Sequence, residues 1–204
     1  MRKIVTTTMI TLDGVMQAPG GSKEDTAEGF KYGGWQVGWD EEADDIMDKR
    51  IQAAPFDLLF GKRTYDIFAA YWPNHKDEPH WGKPFDRAKK YVVSHKPFEL
   101  SWSNSELITG DVVAEIKKLK HSNGPDLWVW GSGNLIQTLL KNNLIDRMHI
   151  WTFPLTIGSG KKLFAEGTRP ERFTFKAVDS KITPTGVVIA TYEPSEPLKK
   201  TGSL

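Results

Sequence analysis

No cysteine occurs among the 204 residues. Disulfides, thiolate nucleophiles and cysteine-ligated zinc are therefore excluded. Histidine is scarce, with His75, His80, His95, His121 and His149 making up the set. His75 and His80 share the polar stretch NHKDEPH, which reads as a solvated loop, so no metal site is expected. An excess of one charge is also missing. The 27 Lys and Arg against 26 Asp and Glu leave a net charge of +1. Nothing suggests a nucleic-acid footprint or a basic membrane patch. No apolar run approaches the roughly 20 residues that span a bilayer. The first segment, MRKIVTTTMITLDG, alternates apolar residues with threonines where a signal peptide needs a continuous apolar core. A cytoplasmic protein without nucleic-acid or membrane partners is the expectation.

What is present suffices for one sizeable domain. Hydrophobic residues are 39% of the chain and charged residues 26%, an ordinary globular balance. Residues 1–193 read as the domain and 194–204 as a tail. Lys3 to Thr11 is β-branched and reads as a strand ended by Asp13-Gly14. A long glycine-hinged loop follows, with Phe30, Tyr32, Trp35 and Trp39. It either packs on the core or folds over a ligand. Asp40 to Ala53 reads as a helix capped by Asp40, with Glu41, Glu42, Asp44 and Asp45 favoured in its first turns. FDLLF (56–60), KYVVS (90–94), 106–109, LWVW (127–130) and 147–153 read as strands. Helices are expected after Thr64, over 111–120 with Asp111 as cap, and over 135–141. FTFKAVDSKI and VVIATYE flank Thr183-Pro184-Thr185-Gly186 as a hairpin. Strands alternating with helices predict an α/β three-layer sandwich with a mostly parallel sheet and an antiparallel C-terminal hairpin.

Three strands end in a similar manner. FDLLF runs into Gly61-Lys62-Arg63-Thr64, KYVVS into Ser94-His95-Lys96, and LWVW into Gly131-Ser132-Gly133. In a parallel sheet these ends share one edge, where ligands of open α/β sheets bind. Gly131-Ser132-Gly133 is either a tight turn or a helix start whose bare N–H groups suit a phosphate. The other two turns supply cations and hydroxyls. Together they suit a ligand with separated phosphate groups, such as a phosphorylated dinucleotide. The Rossmann fingerprint does not fit, because Ile136 stands where G-x-G-x-x-G needs its last glycine. GSGKKLF (158–164) lacks the P-loop spacing, so no ATP site is expected there, and it reads as a structural turn.

TLDGVMQAPGG, LLFGKRTYDIF, KKYVVSHK, DLWVWGSGNLIQTLL and LIDRMHIWTFPLTIGSGKKLF, in this order, carry a resemblance over nearly the whole chain. The sequence resembles the dihydrofolate reductase-like superfamily, and more closely the reductase domain of the riboflavin-biosynthesis deaminase–reductase and its stand-alone relatives. The resemblance implies an eight-stranded, mostly parallel sheet and NADPH as hydride donor. It implies that Gly61, Lys62, Arg63 and Thr64 meet the cofactor phosphates, and Ser94 and His95 the adenosine 2′-phosphate side. Gly131, Ser132, Gly133 and Asn134 would cradle the pyrophosphate. Asp13 and Gly14, with Val15 and Met16, would border the nicotinamide.

Folate-reducing relatives use one buried carboxylate on the helix after the mobile loop. By that analogy Asp44 or Asp45 is the candidate catalytic acid, against the reading that both are solvated first-turn acids. The implied substrate is 5-amino-6-(5-phosphoribosylamino)uracil, with Lys161-Lys162 or Lys83 as candidates for its phosphate. The deaminase half is missing, with no H-x-E or P-C-x-x-C signature. Alternatives are a dihydrofolate reductase, another small-molecule reductase, or a dinucleotide-binding module without turnover. Family analogy implies a homodimer with its contact near Trp151, Phe153 and Leu155.

Overall fold

The computed structural model describes residues 1–39, 41–78, 81–164 and 174–196, apart from the side chains of Glu41 and Asp48. The expected Asp40 cap and His80 lie outside the described residues. Eight strands are formed: β1 (Ile4–Thr11), β2 (Phe56–Gly61), β3 (Lys90–Val93), β4 (Ser105–Ile108), β5 (Asp126–Trp130), β6 (Arg147–Phe153), β7 (Phe175–Ile182) and β8 (Val188–Pro194). The helices are α1 (Glu41–Gln52), α2 (Lys62–Tyr71), α3 (Gly82–Arg87), α4 (Val112–His121) and α5 (Gly133–Lys141).

The strands form one sheet in the order β4-β3-β2-β5-β1-β6-β8-β7. β1 pairs in parallel with β5 and β6, β2 with β5 and β3, and β3 with β4. β8 runs antiparallel to both β6 and β7. The parallel sheet and its closing hairpin are therefore as the sequence implied. The pairing of the hairpin runs past residue 193, since β8 includes Pro194 and Ser195 N–H donates to Thr174 O. Residues 197–204 of the expected tail lie outside the described residues.

Period-two patterning sorts side chains to the two faces of the sheet. On β5, Leu127 and Val129 join the layer of α4 and α5, while Trp128 and Trp130 face the layer of α1, α2 and α3. α1 buries Ala43, Met47 and Ile51 at helical spacing, and α5 buries Leu135, Ile136, Leu139 and Leu140. β1, between β5 and β6, is covered on both faces.

Trp151 and Phe153 are 0% and 1% exposed within the chain, and Leu155 packs on the same core. The expected dimer contact at these residues is thereby corrected. β6 lies between two neighbours, so its side chains are spent on this chain's own core.

The two ends of the strands differ. At the N-terminal ends the Arg2–Asp57 and Lys120–Asp146 ion pairs tie the sheet to its connections. Asp126 and Asp146 accept from Lys3 N–H and Ile4 N–H. The C-terminal ends open into a cavity.

Candidate active site

The chain leaves β2 toward β3 on one side and leaves β5 toward β6 on the other. β2 and β5 are neighbours, so a crevice opens between their ends, the switch point at which open α/β sheets hold ligands. Here the expected Gly61–Thr64 turn proves tighter than the sequence suggests. α2 begins at Lys62 directly after Gly61, so Lys62, Arg63 and Thr64 form its first turn. Facing it, Gly131 (φ 54°) and Ser132 (φ 49°) are consecutive left-handed residues that turn β5 into α5. Glycine takes that conformation without the strain a Cβ would bring. The two turns are laced together: Gly61 N–H donates to Ser132 Oγ at 3.1 Å, and Ser132 N–H to Thr64 Oγ1 at 3.0 Å.

Among the described α-helix starts, capping sets this crevice apart. α4 has a side-chain cap, with Asp111 accepting from Ala114 N–H. Glu78 accepts from Trp81 and Gly82 N–H at the start of α3. α2 and α5 have no side-chain cap. A helix start leaves several N–H groups without intrahelical partners and carries partial positive charge. Both uncapped starts face one crevice.

The crevice belongs to a cavity of about 1760 Å³. Sites for one small molecule run to about 300–1,000 Å³, so this volume suits two ligands. Gly61, Lys62, Arg63, Thr64, Ser94, His95, Gly131, Ser132, Gly133 and Asn134 all line it, with Met16 and Asp44. The structure therefore brings together the three strand-end turns. Lys62 Nζ pairs with Asp66 at 2.6 Å and lies 4.5 Å from the Phe98 ring centroid. Ser94 Oγ donates to Lys96 O at 2.7 Å, which shapes the turn after β3.

Asp13 and Gly14 do not reach the cavity wall, which corrects the placement expected for them. The Asp13 carboxylate accepts from Thr11 Oγ1 (2.5 Å), Gly158 N–H (2.7 Å) and Ile157 N–H (3.2 Å). The Thr11 hydroxyl, with these N–H groups, holds its carboxyl below the usual range against the desolvation that opposes it. Its role is to pin the β6–β7 connection to the turn after β1. Gly14, at φ 83°, makes that turn, and its carbonyl accepts from Leu163 N–H. The two candidate acids also part company. Asp44 is half-buried on the cavity wall and also borders a second cavity of about 470 Å³ with Gln36, Trp39 and Phe153. Asp45 is exposed and lines neither, because helical spacing turns adjacent residues about 100° apart.

GSGKKLF is a structural turn that also contributes to the wall. Lys161 O accepts from Met16 N–H, and Lys161 N–H donates to Gln17 Oε1. A Cβ on Gly160 would lie 2.8 Å from Phe30 Cε2 and 2.9 Å from Val15 Cγ1, so glycine is required for that contact. Lys161 and Lys162 line the cavity, whereas Lys83 is exposed and does not. The glycine-hinged loop is both packed and part of the site. Phe30 is buried with Val15 and Ala18, Trp35 packs against Phe153 at 5.5 Å, and residues 19–25 line the cavity.

Several wall groups carry no local signature in the sequence. Asp25 receives Arg63 and Lys161, each at 2.7 Å. Burial pushes its carboxyl up, but Lys161, the Ala27 N–H and Arg63 together more than offset that and leave it lowered. Burial raises the Glu24 carboxyl, against N–H donation from Gly20 and Gly21. The Asp25 pairing depends on contacts between segments far apart in the chain, whereas Glu24 is held within its own loop. Among the described residues no group of three or more His, Cys, Asp or Glu is arranged to hold a metal ion. No described helix is long and apolar enough to cross a membrane.

This architecture is the dihydrofolate reductase-like α/β fold, and solved structures share it. A putative riboflavin biosynthesis protein from Shewanella sp. PV-4 superposes with a TM-score of 0.62 at 20% identity, over 95% of this chain and 99% of that one. Dihydrofolate reductase from Enterococcus faecalis, complexed with NADP(H) and RAB-propyl, gives 0.61 at 12% identity, over 95% and 97%. A pyrimidine reductase-like protein from Corynebacterium diphtheriae gives 0.63 at 13% identity, over 96% and 92%. Within that fold, the RibD C-terminal domain model matches residues 2–189, and the chain belongs to that family. Two uncharacterized Bacillus subtilis proteins are similar along most of their length. YyaP is 27% identical over 94% of each chain, and YwjB 23% identical over 86% of this chain and 90% of its own. The family is of the reductase type.

Proposed function

We propose that the chain is an NADPH-dependent reductase of a small heterocyclic compound. The observation that carries this reading is the meeting of two uncapped helix starts, α2 and α5, at the switch point of the sheet. That pair suits a pyrophosphate flanked by cations. In this reading Gly131, Ser132, Gly133 and Asn134 hold the pyrophosphate with Gly61 and Thr64. Lys62, Arg63, Ser94 and His95 serve the ribose-phosphate side. Met16 borders the nicotinamide, and Asp13 and Gly14 act one step behind it by fixing the turn that presents it. When bound, the dihydronicotinamide supplies a hydride. Asp44 holds the proton for the accepting atom, and the buried walls exclude water. The ribosylaminopyrimidine phosphate of the riboflavin pathway and dihydrofolate are the reference substrates for this family reading. The Enterococcus relative, with NADP(H) on the same fold, supports the choice of cofactor.

The test is a titration with NADPH and NADH, followed by tryptophan quenching, on the wild type and on Lys62→Ala/Arg63→Ala. NADPH is expected to bind the wild type more tightly. The double variant is expected to lose about tenfold or more for NADPH and little for NADH, because only NADPH carries the extra phosphate. Equal losses would remove Lys62 and Arg63 from that role. No binding of either cofactor would remove the reductase reading.

A further inference from the structure

We infer that Asp25 is a built-in counter-anion of this site, which occupies Arg63 in the free protein and yields it to a phosphate group of the ligand. The inference rests on the reductase reading above and deepens it, by naming a residue that sets how tightly the site takes its cofactor.

Asp25 stands on the glycine-hinged loop and lines the cavity together with Arg63 and Lys161. One carboxylate oxygen, Oδ1, accepts from Arg63 at 2.7 Å and from Ala27 N–H at 3.0 Å. The other, Oδ2, accepts from Lys161 Nζ at 2.7 Å. Two of these donors belong to Asp25's own side of the cavity. Ala27 is on the same loop. Lys161 is fastened to that loop by the buried Gln17, whose Oε1 accepts from Lys161 N–H and whose Nε2 donates to Asp25 O and Ala27 O. Arg63 is different, because it arrives from the first turn of α2. The Asp25–Arg63 pair therefore joins the loop to α2.

That pair is built to be exchanged. The Arg63 side chain is 58% exposed, against 12% for Asp25. An ion pair with one partner mostly in water contributes little net stability. A phosphate group brings more charge, and its oxygens match the guanidinium fork. Once displaced from Arg63, Asp25 keeps Lys161 and Ala27 N–H, so it stays charged beside the incoming anion. Like charges at short range oppose binding. Asp25 thus holds the affinity below what Arg63 and Lys161 alone would give. A small anion without further contacts is held weakly, whereas a dinucleotide also engages the rest of the crevice. Lys62 offers the contrast. Its partner Asp66 lies one turn along the same helix, at 2.6 Å, so an exchange there leaves the loop untouched.

Calorimetric titration of the full chain with NADP+ and, separately, inorganic pyrophosphate tests the inference. Asp25→Asn is expected to bind both probes about fivefold or more tightly than the wild type. In the Arg63→Ala background the same substitution is expected to gain less than about twofold, because the two residues act through one contact. Misfolding does not produce tighter binding, so the gain is its own control. In the free protein, hydrogen exchange of residues 19–27 is expected to quicken in Asp25→Asn and in Arg63→Ala, and to hold in Asp66→Asn. Unchanged or weaker binding by Asp25→Asn would overturn the inference, as would an equal gain with and without Arg63, or unchanged exchange of the loop. If NADP+ binds the wild type and the gain is absent, the inference alone falls. If pyrophosphate shows the gain and NADP+ binds no variant, the reductase reading falls and the counter-anion stands. Binding of neither probe to any variant would remove both.

Discussion

Asp44 shows how little separates a catalytic candidate from a solvated surface acid. It and Asp45 are adjacent, chemically identical and equally suited to the first turns of α1. Only the rotation of the helix decides that Asp44 borders the cavity and Asp45 meets water. Asp44→Asn is expected to lower kcat by about a hundredfold or more, as loss of a general acid does, with the Kd for NADPH unchanged. Asp45→Asn serves as the control and should leave kcat near the wild-type value. Steady-state rates with the best substrate, together with the cofactor titration, check both statements. A pair of variants with equal activity would return the proton to another group, of which Glu24 is the wall carboxylate that burial raises. Asp13 teaches the complementary lesson. Its position in TLDGVMQAPGG resembles a site residue, yet its carboxylate is consumed by Thr11, Ile157 and Gly158.

Among the elements, β6 carries a pH dependence that has nothing to do with catalysis. His149 is buried on β6, within 2.9 Å of Thr191 Oγ1 on β8 and 3.3 Å of Arg50 on α1. Burial first, and then Arg50 and Arg147, push its pKa from 6.5 down to about 4, with Asp179 opposing. The folded chain therefore keeps the ring neutral between pH 6.5 and 4, where the unfolded chain takes up a proton. Stability contributed by the neutral ring is complete above pH 6.5 and is lost as the pH falls toward 4. Wild-type stability is expected to drop by up to about 3 kcal/mol across that window from this group. His149→Gln should flatten this part of the profile in urea unfolding at a series of pH values. An unchanged slope would mean that the histidine is protonated in the folded state. The same scale shows what was readable along the chain. α4 with its Asp111 cap and α5 with its four buried apolar residues follow from local pattern, and both form as that pattern implies. The Gly61–Thr64 segment was less legible. Nothing local marks whether glycine ends a strand in a loop or serves directly as the first flank of a helix.

For the molecule as a whole, the sheet leaves one edge open at β7. This strand is exposed along nearly its entire length, with Val178 and Ile182 at 46% and 69% exposure. A homodimer, which the family resemblance implies, would find its apolar contact there rather than in the buried 151–155 segment. Light scattering after gel filtration is expected to give a dimer for the wild type and a monomer for Val178→Lys/Ile182→Lys, because two buried cations without partners oppose association. A monomeric wild type at micromolar concentration would remove the proposal.

The amino-acid order alone carries the alternation of strands and helices, the glycine turns at strand ends and the clustering of cations beside them. These are local properties, set by backbone sterics and by the periods of helix and strand. They sufficed for the parallel sheet and its antiparallel hairpin, and they grouped the ten expected cavity positions from Gly61 to Asn134 on one edge of the sheet. Tertiary packing decided the rest. It chose between Asp44 and Asp45, withdrew Asp13 and Gly14 from the wall, and tied Asp25 to Arg63 and Lys161. Each of those outcomes depends on segments distant in the chain meeting at one face of the sheet, and no local propensity encodes which distant partner a side chain will find.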